Sequence, residues 1–116
     1  MGLDRELALK VAGTFGGGMA RMGETCGAVT GAFMTIGLKY GKATAKDDAA
    51  RDKTYDLVKE FVTKFQSRQG SIVCRELLGY DLSNPEGRKA AYEKGIFDTL
   101  CPQLVRDAAE ILEEIL

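Results

Sequence analysis

The chain has 116 residues, 45% of them hydrophobic, which suits one domain, residues 1–116, with one core. Its 16 basic and 17 acidic residues leave a net charge of −1, which argues against a nucleic-acid footprint. No apolar run reaches the roughly 18 to 20 residues of a membrane span, and Asp4, Arg5, Glu6 and Lys10 interrupt the place of a secretory signal. A cytoplasmic location with no membrane and no nucleic-acid partner is therefore expected. Met1-Gly2 resembles the start of a myristoylation motif, but Glu6 stands where Ser or Thr is required.

The first helix is predicted over Leu3 to Phe15, with Asp4 as its N-cap and Leu7, Leu9, Val11 and Ala12 as apolar surface. Gly16 to Gly23 reads as a glycine-rich loop. A second helix is predicted from Thr25 to Tyr40, closed by Gly41. Gly27, Gly31 and Gly37 lie inside it at up to about 1 kcal/mol each against alanine. Gly27 and Gly31 share a face, which suggests close approach of another backbone. After a polar linker, Lys42 to Lys46, the clearest helix begins at an Asp47 or Asp48 cap and runs to Gln69. Tyr55, Leu57, Val58, Phe61, Val62 and Phe65 form its stripe. Lys64 and Arg68 complement its dipole, and Gly70 ends it.

A connector over residues 71–74 leads to a brief turn, Arg75 to Leu78, stopped by Gly79. Ser83 and Glu86 read as a capping box with Pro85 in the first turn of a helix to Lys94, ending at Gly95. Cys101 and Pro102 read as the start of the last helix, with Leu104, Val105, Ala108, Ile111, Leu112 and Ile115 on its core face. No alternating strand pattern, repeat or low-complexity tract is found. The expected fold is an all-α small bundle of about five helices, with the glycine-rich loop between the first two.

The chain has three cysteines and no histidine, so imidazole bases, histidine triads and histidine metal ligands are excluded. Cys26, Cys74 and Cys101 each fall at a predicted helix start, where free N–H groups and the helix dipole favour a thiolate. They are expected to converge on one site. The competing reading is that they are buried core, since free cysteine is among the most buried residue types. Three cannot all pair internally. In a reducing compartment, spaced cysteines more often serve metal or redox chemistry than stapling. Gly16, Gly17 and Gly18 could cradle an anion, although a tight loop passing close to a neighbour is favoured. No P-loop lysine follows and no strand precedes. Glu24, two residues before Cys26, is the acid placed to touch a thiol site. Arg75 and Arg106 are cations near cysteines, and solvation is the expectation for all three. Glu110, Glu113 and Glu114 read as a solvated face, and Met19, Met22 and Met34 as core filling.

The run Cys26-Gly27-Ala28-Val29-Thr30-Gly31 resembles the CGAxxG motif of the C-GCAxxG-C-C family, whose members are named redox-active from their cysteines. Phe15-Gly16-Gly17-Gly18-Met19, Gly37-Leu38-Lys39-Tyr40-Gly41, Cys74-Arg75-Glu76-Leu77-Leu78-Gly79 and Cys101-Pro102 extend the resemblance along nearly the whole chain. The second, third and fourth family cysteines map onto Cys26, Cys74 and Cys101. The first would lie in an N-terminal helix upstream of Met1, so the chain reads as a truncated member or a short variant. The resemblance implies redox use of the cysteines by thiol–disulfide exchange or at an iron–sulfur or zinc centre. The fourth ligand would come from water, an exogenous thiol or a second subunit.

The leading expectation is a small redox protein with Cys26, Cys74 and Cys101 as exchanging thiols or as metal ligands. Gly27 would permit close packing, Gly16, Gly17 and Gly18 would cover the site, and a redox partner protein would supply or take electrons. Two other readings stay open: a helical binding or dimerisation module, and a metal-storing or metal-sensing protein. A homodimer covering an exposed apolar face is compatible with each.

Overall fold

The computed structural model describes residues 2–116, which form six helices in chain order: α1 (Arg5–Ala12), α2 (Gly27–Tyr40), α3 (Asp48–Gln69), α4 (Cys74–Leu78), α5 (Pro85–Glu93) and α6 (Ile96–Ile115). The all-α expectation holds, with one helix more than expected. Among the described residues no helix is long and apolar enough to cross a membrane.

The core is built by α2, α3 and α6, each packed on the other two, with α5 laid against α6. Val29, Ala32 and Ile36 of α2, Phe61 and Phe65 of α3, and Leu104, Ala108 and Ile111 of α6 are buried there. They recur at helical spacing, so each helix turns one stripe inward. Phe61 stacks on Phe65 with ring centroids 5.8 Å apart and meets Phe33 edge-on at 6.1 Å. Such pairs add about 0.5–1.5 kcal/mol beyond their buried area. Tyr55, expected on the α3 stripe, is exposed.

The polar faces of α3 and α6 are also joined. Arg68 reaches Glu110 at 2.7 Å and Glu114 at 3.1 Å, and Lys64 reaches Glu114 at 3.5 Å. Glu110 and Glu114 are therefore paired across the helix interface rather than simply solvated. Being largely exposed, these pairs add little to stability. The buried Asp107 accepts from Gln103 at 2.9 Å and from Gln69.

Several helix ends follow the expected chemistry. Asp4 caps α1 through the Leu7 N–H, Asp47 caps α3 through the Ala50 N–H, and Gly70 closes α3 at φ 85°. At α5 the cap is Asn84, which accepts from Glu86 N, and not Ser83. Pro85 fixes the first helical position, so the residue before it must be the cap. The Ser83 hydroxyl bonds Asp81 instead.

Helix α1 stands apart. It buries none of its residues, and Leu7, Leu9 and Val11 are exposed. The radius of gyration is 15.0 Å, against roughly 13 Å for a compact chain of this length. Gly31 and Gly37 have no neighbour within 4 Å of an added Cβ, so close backbone approach at Gly31 is not realised. At Gly27 it is: an added Cβ would lie 3.0 Å from the Phe15 carbonyl oxygen.

Candidate thiol site

Between α1 and α2 the backbone turns left-handed. Gly17, Gly18, Met19, Ala20 and Arg21 have φ of 66°, 69°, 69°, 51° and 67°. For the three residues with a Cβ this costs roughly 1–2 kcal/mol each. Wide-ring hydrogen bonds hold the turn: Ala20 N to Thr14 O at 2.9 Å, Gly23 N to Gly17 O at 3.1 Å and Glu24 N to Gly18 O at 2.9 Å.

The turn delivers residues 23–26 alongside residues 72–75. Thr25 and Val73 form an isolated antiparallel bridge. On either side of it, Cys26 N donates to Ile72 O at 2.8 Å and Cys74 N to Glu24 O at 2.6 Å, with Arg75 N on Gly23 O at 3.2 Å. Cys26 and Cys74 are thus held as diagonal neighbours, which in a regular ladder stand about 7–8 Å apart. Arg75 fastens the same seam, its guanidinium on Met22 O at 3.3 Å and on the Glu24 carboxylate at 3.5 Å. Glu24 and Arg75, expected to be solvated, pair with each other.

Cys26 is the N-cap of α2 and Cys74 the first residue of α4, as the sequence suggests. Cys101 is not a cap. Helix α6 begins at Ile96, after Gly95 at φ 70°, and carries Pro102 inside it. A proline there removes the N–H that would reach the Asp98 carbonyl. The helix nevertheless extends upstream because Ile96 and Leu100 pack on the core. The helix-start field expected at Cys101 is therefore absent. Arg106 is exposed.

All three thiols are free, and all three line one cavity of about 340 Å³. Cys26 is 9% exposed and Cys74 5% exposed, while Cys101 is half-buried. Gly17, Gly18 and Gly27 form part of the wall, with Leu78, Leu82 and Phe97 among the apolar side chains that complete it. Gly18 is the tightest point: a Cβ there would fall 2.5 Å from the Cys74 Cβ and 2.7 Å from Glu24 N. Gly16 faces the neighbouring cleft instead, with nothing within 4 Å. Apart from the thiols the lining carries no polar side chain.

That apolar setting governs the thiols. Burial pushes Cys74 up to about 11, reinforced by the nearby Cys26 and Cys101 and opposed by Arg75. Cys101 is likewise raised by burial and then by Cys26. Cys26 is the neighbour that acts on both.

An iron–sulfur or zinc centre needs a closed donor set, typically four thiolates. Among the described residues no three cysteine, aspartate or glutamate side chains are gathered closely enough to hold an ion. The three thiols as placed in one chain do not make such a set. The sequence points to the three cysteines and to Gly17, Gly18 and Gly27 of the wall, while Gly16, expected to cover the site, lines the neighbouring cleft. Sequence reading misses the Thr25–Val73 bridge, the left-handed turn and the contributions of Leu82 and Phe97. Of these only the turn leaves a trace in the sequence, the triple glycine.

The family model described as "Putative redox-active protein (C_GCAxxG_C_C)" matches residues 1–115. No curated protein and no solved structure matches the chain.

Proposed function

We infer that this chain, which belongs to the redox-active C_GCAxxG_C_C family, carries out two-electron thiol–disulfide exchange at its cysteine cavity. The observation that carries this reading is that three free thiols from three separate elements line one apolar cavity.

Cys101, the least buried of the three, meets an incoming disulfide first. Its thiolate attacks one sulfur, forming a mixed disulfide and releasing the other half as a thiolate. Cys26, adjacent to both other thiols, then attacks the Cys101 sulfur and expels the remaining half. Two protein thiols are oxidised to one disulfide, the external disulfide is reduced to two thiols, and the two protons lost by the cysteines go to the products. Cys74, with its acidity lowered most firmly by burial, stays protonated and is the reserve thiol. The apolar wall keeps the mixed disulfide away from competing solutes.

The test begins with protein purified without oxygen, its iron and zinc measured and its visible spectrum recorded. It is then treated with 4,4′-dithiodipyridine, and the lost thiols are mapped by mass spectrometry. The expected result is a metal-free protein that loses two thiols quickly, giving a Cys26–Cys101 crosslink. Cys26→Ser should trap the mixed disulfide on Cys101. Stoichiometric iron with sulfur-to-iron colour, or stoichiometric zinc, overturns the exchange reading in favour of a metal centre. Thiols that react only after denaturation overturn it in favour of buried core.

A further inference from the structure

Beside the cysteine cavity lies a second, larger cleft of about 870 Å³, lined by Arg21, Arg88, Lys89 and Tyr92 among others. Gly17, Leu82 and Phe97 border both spaces, so the two share a wall. The cleft falls in the size range of small-molecule sites, about 300–1,000 Å³. Its charge is one-sided, with three cations and no carboxylate in the lining. None of the ion pairs among the described residues involves Arg21 or Arg88. Lys89 meets Glu93 only at 4.0 Å.

The cations are placed rather than scattered. Arg21 ends the left-handed run, and its backbone lies so close to Gly17 that a Cβ there would fall 2.9 Å from the Arg21 Cα. Arg88 is tethered by a hydrogen bond from its guanidinium to Leu82 O at 3.1 Å. Arg21 comes from the loop before α2 and Arg88 and Lys89 from α5, so separate elements bring like charges to one cleft. Such a grouping makes the cleft electropositive and attractive to an anion. Tyr92 is 76% exposed at the rim, and Phe97 adds a second ring at the shared wall.

We propose that this cleft binds the anionic end of a small carboxylate-bearing thiol or disulfide, whose sulfur reaches the cysteines past Gly17, Leu82 and Phe97. This rests on the exchange reading and names the substrate class for it. The carboxylates pair with Arg21, Lys89 and Arg88. The apolar stem lies on Tyr92 and Phe97, and only the sulfur-bearing end enters the uncharged cavity. Guanidinium–carboxylate pairs supply the orientation.

The test separates binding from chemistry. S-methylglutathione, a dicarboxylate thioether that cannot exchange, is titrated into the full chain and followed by amide NMR shifts. Saturable binding is expected, with shifts at Arg21, Lys89 and Tyr92, weakening about tenfold or more in an Arg21→Gln/Lys89→Gln double variant. A circular dichroism spectrum checks that the variant is folded. The rate of thiol loss is then compared for the dianionic 5,5′-dithiobis(2-nitrobenzoate) and the cationic cystamine. The anionic disulfide should react faster at low salt, and the double variant should erase the preference. No saturable thioether binding, or a charge preference untouched by the double variant, overturns the proposal even if exchange proceeds; the substrate would then be a protein or a neutral solute. Thioether binding without exchange of either disulfide overturns instead the exchange reading and the sulfur-bearing part of the ligand.

Discussion

The bundle of α2, α3 and α6 and the cysteine end are held by different forces. In the bundle, apolar side chains recur every three to four residues and the core closes around stacked Phe61 and Phe65. At the cysteine end, a five-residue helix, a left-handed turn and one isolated bridge meet. There, backbone hydrogen bonds and a glycine without a side chain set the geometry. The bundle draws its stability from burial, which tolerates small shifts. The cysteine end depends on backbone shape, which does not.

The comparison can be broken at several points. Phe61→Ala should be the most damaging change, lowering stability by about 3–5 kcal/mol in thermal or urea unfolding. Its residual folded fraction should still protect the cysteines. Gly18→Ala should cost less, roughly 2–4 kcal/mol, since it combines a left-handed φ with a contact at 2.5 Å. Its distinguishing effect should be faster alkylation of Cys74, because the added methyl pushes the turn off that residue. A Gly18→Ala chain with unchanged Cys74 reactivity would show that the turn does not shield the thiol.

Alkaline pH gives the third probe. Cys74 lies at about 11 in the folded chain against an ordinary value of 9.0. Because its folded value is raised, the stability it contributes is complete below pH 9 and is lost as pH climbs toward 11. The loss should amount to about 2–3 kcal/mol and should vanish in Cys74→Ser. Over the same range Cys74 alkylation should accelerate about tenfold per pH unit. The smallest effect has the opposite sign. Gly31→Ala, in helix α2 with open space around it, should stabilise the chain by up to about 1 kcal/mol. Gly18 and Gly31 are both family glycines in the sequence reading, yet one is fixed by its contacts and the other is free.

The same division explains what the sequence reveals. Apart from Tyr55 and Val105, expected on the core faces but exposed, the stripes of α3 and α6 are local signals of spacing, and they are legible together with the Asp4 and Asp47 caps and the Gly70 stop. Residue type alone marks Cys26, Cys74 and Cys101. The start of α6 is not legible, because Pro102 reads as a first-turn residue until Ile96 and Leu100 are seen to pack on the core. The pairing of Thr25 with Val73 joins segments far apart in the chain and leaves no periodic pattern. The Arg68 pairs with Glu110 and Glu114 are hidden for a similar reason, since neither helix shows which neighbour its charged face will meet.

The Thr25–Val73 bridge bears on the order in which the molecule assembles. All of α2 and α3 lie between its two residues, so it can close only after that long loop has been drawn together. Until then Cys26 and Cys74 belong to an open chain, with neither the cavity wall nor each other to restrain them. A newly made chain therefore passes through an interval in which its thiols are as vulnerable as any in an unfolded peptide. The bridge that aligns them at the end of folding is also what ends that vulnerability.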